Sequence, residues 1–169
     1  NCTSSEKSKT LVIHHLKLES AADLLSKSIN SSSDVNGAAF LPTEPKCSGC
    51  VMDIEQTFKL NDLKHKGSLT ALRIEGSKKS VDERMKNLIN ELKIDNSNFS
   101  LLETYQSEIF WNKIKNLEFF SSTKNNIVRI VIPPSQCVQL IFQMSNKFKY
   151  YLDWGGALIW METCDLTEE

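Results

Sequence analysis

The segment Tyr150-Tyr-Leu-Asp-Trp-Gly-Gly-Ala-Leu-Ile-Trp160 restricts the fold more than any other stretch of the chain. Two apolar runs flank Gly155-Gly156, where glycine permits the positive φ of a tight turn, so the segment reads as a β-hairpin. Trp154 and Trp160 stand on either side of that turn. Upstream, Ile127-Val-Arg-Ile-Val-Ile-Pro-Pro134 reads as a strand of β-branched residues stopped by two prolines. It carries Arg129, one of three arginines set against seventeen lysines. Placed among Ile and Val in a strand, that arginine calls for a specific partner.

The remaining periodicity alternates strands with helices. Thr10–Leu16 is a short β-like run, and Ser20 with Asp23 has the spacing of a capping box opening a helix whose Ala21, Leu24, Leu25 and Ile29 share a face. Val35–Leu41 is the next strand, ended by Pro42. Residues 43–66 are mixed, with one candidate strand at Val51–Leu60. In the strand Ser68–Glu75, Thr70, Leu72 and Ile74 lie on one face and Leu69, Ala71, Arg73 and Glu75 on the other. Ser80 and Glu83 form a second capping box before a helix with the stripe Val81, Met85, Leu88, Leu92. Asp95–Ser100 reads as a polar loop, and a third helix is expected from about Ser107 to Asn116, burying Phe110, Ile114 and Leu117. Ser135 is placed to cap a short helix holding Val138, Ile141 and Phe142. Strands linked by single helices on one side predict an α+β fold: a two-layer sandwich of a mainly antiparallel sheet with helices on one face, ferredoxin-like.

Composition fits one domain over residues 1–169. At 40% hydrophobic the chain is long enough for a real core, and its net charge of −1 gives no electrostatic case for nucleic acid or an anionic membrane surface. No apolar run approaches the roughly 18 residues of a membrane span. The polar N-terminus lacks the apolar core of a signal peptide, so a cytoplasmic setting with reduced cysteines is expected. Cys47 and Cys50 have the spacing of a redox dithiol or of half a zinc site. They follow Pro42 and Pro45, however, and Cys137, Cys164, His14, His15 and His65 supply no second half. The pair reads as a loop feature, with adventitious metal or disulfide as the alternative. His14 and His15 in a strand point to opposite faces and cannot act on one substrate. The lysines of the helices read as solvated faces.

The strand-Arg-Pro-Pro element followed by Asp153-Trp-Gly-Gly-Ala157 resembles the region after the flavin domain in the FAD-binding subunit of bacterial glycolate oxidase, an FAD-linked oxidase of the vanillyl-alcohol oxidase type. Val35-Asn-Gly-Ala-Ala-Phe-Leu-Pro42, Leu69-Thr-Ala-Leu-Arg-Ile-Glu-Gly76 with Ser80-Val-Asp-Glu-Arg84, Phe110-Trp111 and Phe119-Phe120 are similar to that family's landmarks, in the same order. The resemblance implies an α+β cap around an antiparallel sheet, in a protein that oxidises glycolate to glyoxylate, or acts on a similar 2-hydroxy acid, by passing two electrons to FAD. It also implies partners, a paralogous flavin subunit and an iron–sulfur subunit, through which a cytoplasmic chain would associate with a membrane. With six glycines and neither G-x-G-x-x-G nor G-x-x-x-x-G-K-[ST], the sequence offers no phosphate cradle, so the flavin-binding domain is expected to lie outside it and the isolated chain to be inactive, holding FAD weakly or not at all. It also offers no metal site.

In the resembling enzymes substrate sits between the flavin ring and the sheet. Arg129 or Arg73 would then pair with its carboxylate, for which the guanidinium fork is suited, and Trp154 would form an apolar wall. The competing assignment pairs Arg129 locally with Asp153 or Glu75 across strands. Two further readings of the whole chain stand beside the first: a non-catalytic subunit-contact module of the oxidase complex, or an unrelated ferredoxin-like interaction domain.

Overall fold

The computed structural model describes residues 6–42, 67–120, 126–144 and 148–163. Cys47, Cys50, His65, Cys164 and the candidate strand Val51–Leu60 lie outside them. The element order is β1 (Glu6–His14), α1 (Leu18–Ile29), β2 (Gly37–Leu41), β3 (Leu69–Ser77), α2 (Lys78–Glu91), β4 (Phe99–Leu102), α3 (Thr104–Lys115), β5 (Ile127–Val131), α4 (Cys137–Gln143), β6 (Phe148–Asp153) and β7 (Leu158–Thr163). Short 3-10 turns at Pro134–Gln136 and Trp154–Gly156 precede α4 and join β6 to β7.

Seven strands form one sheet in the order β4-β1-β3-β2-β6-β7-β5, every neighbouring pair antiparallel. The first six elements, β1-α1-β2-β3-α2-β4, give the strand order 4-1-3-2 of a ferredoxin-like split βαβ unit. The remaining strands extend that sheet from β2, joined where Phe40 pairs with Leu152. The fold is an α+β sandwich.

Period-two alternation assigns the faces. Leu11, Ile13, Ala38, Phe40, Leu72, Ile74, Tyr150, Leu152 and Ile159 point to one side, where α1 contributes Ala21 and Leu25, α2 contributes Val81, Met85 and Leu88, and α4 contributes Cys137 and Ile141. Their neighbours Val12, Ala39, Leu41, Leu69 and Ala71 point to the other, under Phe110, Trp111 and Ile114 of α3. Three helices therefore share a face as the sequence reading had it, while α3 crosses to the second. It covers that face over β1, β3 and β2 and reaches Tyr151 of β6, on which Phe119 and Phe120 also pack, while Asp153, Trp160 and Arg129 further along stay partly or fully exposed.

Several boundaries differ from the sequence reading. The capping boxes at Ser20 and Ser80 are not used: α1 starts at Leu18 after Lys17 and α2 at Lys78 after Ser77, which puts both serines inside their helices. In each case the preceding strand decides. His15, with φ 62°, turns the chain out of β1, and β3 stays paired as far as Ser77 opposite Glu6. The capping box actually present is at α3, where the Glu103 N–H donates to Gln106 Oε1 at 3.3 Å. The stretch Asp95–Ser100, which reads as a polar loop in sequence, ends in β4, whose Ser100 pairs with Val12 of β1. Ser135 lies in a 3-10 turn rather than capping α4, and Phe142 is exposed while Cys137 is buried. Ile29 is exposed too, and Leu117 ends α3 at φ 59°.

Lys7 and Lys9 of β1 tie the sheet to α2 and to the start of α3. Lys9 Nζ lies 2.8 Å from Asp82 and 2.9 Å from Glu103, and Lys7 Nζ 3.0 and 3.3 Å from the same two carboxylates. Hydrogen bonds from Lys9 and then Lys7 hold the Asp82 carboxyl down at about 2, below its ordinary 3.8. A carboxylate depressed in the fold stabilises it above the unfolded pKa and loses that contribution as pH falls through the folded one. Asp82→Asn is accordingly expected to flatten the loss of stability between pH 3.8 and about 2. Urea unfolding at several pH values in that window checks this, and an unchanged acid limb would contradict it.

Candidate functional site

Where α3 stops covering the second sheet face, a trough of about 880 Å³ opens. Arg73 from β3, Asp153 from β6, Trp160 from β7 and Arg129 from β5 line it, with Trp111 from α3 and Trp154 from the β6–β7 turn. Each strand residue reaches it because the pleat sends it to the second face. The three site residues read from the sequence, Arg129, Arg73 and Trp154, all line this one trough.

They are not equivalent within it. Strands β2, β6 and β7 separate Arg73 from Arg129, a lateral span of about 19 Å at ~4.8 Å per strand step. The two guanidinium groups thus belong to opposite ends. Arg73 is already engaged: Nε donates to Asn36 Oδ1 at 3.3 Å, Nη1 lies 3.5 Å from Glu75, and the guanidinium sits 4.9 Å from the Trp111 ring centre. Asn36 Nδ2 in turn donates to Glu75 at 2.6 Å.

Trp111 is fixed from behind, its Nε1–H donating to buried Thr10 at 2.8 Å, with Ser107 2.7 Å from the same hydroxyl. Gly37 makes room for it. A Cβ there would come within 3.1 Å of the indole and of Arg73 Cβ. The Arg73 end is a built, internally neutralised wall.

Arg129 is held differently. Its guanidinium lies 5.0 Å from the Trp154 ring centre and 5.8 Å from that of Trp160, its register partner on β7. Among the described residues no carboxylate pairs with it. The local ion pair weighed for Arg129 belongs instead to Arg73 and Glu75. Cation–π contacts with aromatic rings use no hydrogen-bond acceptor, so they leave guanidinium N–H donors available for a carboxylate, which binds them bidentately. Chemically, the Arg129 end can take a small anion against an indole wall.

Asp153 lies on β6, between the two ends. Burial pushes its carboxyl up, against the opposing pull of the Trp154 N–H and of Arg73. Its Oδ1 accepts the Trp154 N–H at 2.7 Å. The sequence reading weighed Asp153 only as an ion-pair partner and left Trp111 and Trp160 outside the site. The period-two pattern carries the signal for Trp160, two residues from Leu158 on the same face. Nothing local signals Trp111, whose helix packs on the side that only the tertiary fold selects.

The two described histidines, His14 and His15, stand apart from the trough. His14 is buried, its Nε2 3.0 Å from the Ser100 hydroxyl on β4, and His15 lies beyond the strand end, exposed. Among the described residues no cluster of three His, Cys, Asp or Glu is placed to hold a metal ion, and no helix is long and apolar enough to cross a membrane. A scan against protein-family models matches none, and no curated protein sequence matches the chain.

Proposed function

We propose that this chain is the cap portion of the FAD-binding subunit of a glycolate oxidase, set over the flavin for two-electron oxidation of a 2-hydroxy acid. The observation that carries the reading is Arg129: an exposed arginine on the sheet, within cation–π distance of two tryptophan rings and without a carboxylate partner among the described residues. In this reading Arg129 binds the substrate carboxylate, Trp154 and Trp160 wall it from water, and Arg73 shapes the far end of the trough.

FAD, when bound by the intact protein, supplies the two-electron acceptor. Three indoles, Trp111, Trp154 and Trp160, line the trough and would offer aromatic faces to such a ring. The sequence carries no glycine-rich loop that would cradle its pyrophosphate. The phosphates would be held by sequence outside this chain. An iron–sulfur subunit and a paralogous flavin subunit would be its partners, in a cytoplasmic complex at the membrane.

The test is a visible absorption spectrum of the polypeptide purified at the full length of its reading frame, before and after anaerobic addition of glycolate. A flavin band that glycolate bleaches is the expected result. A flavin band indifferent to glycolate and other 2-hydroxy acids would favour the subunit-contact reading, for which exposed Ile127 and Val131 on β5 offer an apolar surface. No flavin in the full-length protein would end both readings.

A further inference from the structure

We infer that Asp153 is a positioning residue for anion binding at Arg129: its carboxylate holds the left-handed turn that hangs Trp154 over the guanidinium. This rests on the reading of Arg129 as the place where a carboxylate lands, and it accounts for how that cation is presented.

Arg129 projects from the outermost strand of the sheet, where no acid among the described residues fixes its rotamer. Its two aromatic partners are held in unlike ways. Trp160 is part of β7, registered between Arg129 and Tyr151. Trp154 is on no strand. It sits in a three-residue turn with φ 52°, followed by Gly155 at 66° and Gly156 at 92°. For a bulky L-residue the left-handed region is disfavoured, because Cβ crowds the backbone. Burial does not compensate, since Trp154 is 57% exposed.

The turn is packed at both of its glycines, tightly only at Gly155. Ile29 fills the space beside Gly155, and Cys137 with Pro134 the space beside Gly156. Those contacts leave Trp154 itself unrestrained. At Trp154 the Ala157 N–H closes back onto its carbonyl at 3.3 Å, and Asp153 Oδ1 takes its N–H at 2.7 Å. Among the described residues that is the one side-chain hydrogen bond made to the turn. Without it the tryptophan is free to leave the left-handed region, and its ring leaves Arg129.

Charge and position predict opposite effects here, so the two are separable. Asp153 is an anion in a trough that binds an anion. If it acted only through its charge, Asp153→Asn and Asp153→Ala would both tighten binding. If it acts by holding the turn, Asp153→Asn keeps an acceptor oxygen and Asp153→Ala does not.

The experiment titrates the chain with glycolate at neutral pH in low salt, read by tryptophan fluorescence. The wild-type chain should saturate, and Asp153→Asn should bind at least as tightly. Asp153→Ala should bind about two- to fivefold more weakly, the share expected from one exposed cation–π contact. Trp154→Ala, whose exposed side chain can be removed without disturbing the core, should weaken binding by a similar factor. The double variant should be no weaker than either, and a thermal unfolding curve for each variant, with Trp154→Ala as the one that leaves Asp153 in place, separates lost binding from lost fold.

Equal or tighter binding in Asp153→Ala would overturn the positioning role, as would full additivity in the double variant. Arg129→Ala separates this failure from that of the underlying reading. If Arg129→Ala binds glycolate as wild type does, the anion site itself is wrong. If it loses binding while Asp153→Ala behaves like Asp153→Asn, only the positioning inference falls.

Discussion

Replacing Arg129 with alanine is expected to lower kcat/KM for glycolate in the full-length, flavin-loaded protein by roughly 10- to 150-fold, the equivalent of about 1.5–3 kcal/mol for hydrogen bonds to a charged group. The loss should come without loss of fold. Arg129 makes no ion pair among the described residues and lies on the outermost strand, so its removal leaves the core clusters intact. Arg129→Lys should recover only part of the activity, because an ammonium restores charge but neither the planar fork nor the guanidinium contacts with Trp154 and Trp160. Steady-state kinetics with an artificial acceptor, beside a thermal unfolding curve, give both readouts. Unchanged turnover in Arg129→Ala would remove the main support for substrate binding on this face. The same variant with its stability collapsed would assign the arginine to packing.

The largest expected effect on stability lies elsewhere on the same face. Lys149 and Glu162 sit directly opposite each other on β6 and β7, with Nζ 3.5 Å from the carboxylate. Glu162 is fully buried and Lys149 nearly so. A buried pair of this kind contributes little over a well-packed apolar pair, yet removing one member strands the other charge away from water. Glu162→Ala is expected to destabilise the fold by about 3–5 kcal/mol, a large part of the ~5–15 kcal/mol that typically holds a domain together. The double change Lys149→Met with Glu162→Leu should recover most of that loss. Urea unfolding of the wild type and both variants decides it. A cost below about 1 kcal/mol for Glu162→Ala would mean that water reaches the pair in solution.

The trough owes its place to the way α3 divides the second sheet face. Over β1, β3 and β2 the helix buries that face, with Phe110 and Trp111 packed edge to face at 5.6 Å and the Tyr151 hydroxyl donating to the Ile114 carbonyl at 2.9 Å. Beyond Tyr151 the cover ends and the trough begins. A face wholly covered would be core, and one wholly open would hold no indole in place. The site lies at the boundary between the two.

How far this was legible differs from residue to residue. The alternation in Leu69–Glu75 placed Arg73 and Ala71 on one face and Leu72 and Ile74 on the other, as the structure has them. The hairpin at Gly155-Gly156 was equally plain, because a turn that needs positive φ restricts its residues locally. Helix starts were not plain. Ser20 and Ser80 satisfied a capping pattern, but the strands before them ran on or turned in ways that the pattern does not contain. Strand β4 escaped notice because a four-residue edge strand is held by its partner β1 more than by its own composition.

The sequence by itself settled the faces of β3, the turn between β6 and β7, and that Arg73, Arg129 and Trp154 were worth following. The pleat and the glycine φ are properties of a few adjacent residues, and those are written locally. Only the tertiary structure decided that β5 lies beside β7, that α3 crosses to the second face, and that Glu75 takes Arg73 while Arg129 lies against two tryptophan rings. Those outcomes depend on pairings between residues far apart in the chain, where competing arrangements differ in buried area and strand register rather than in any local pattern.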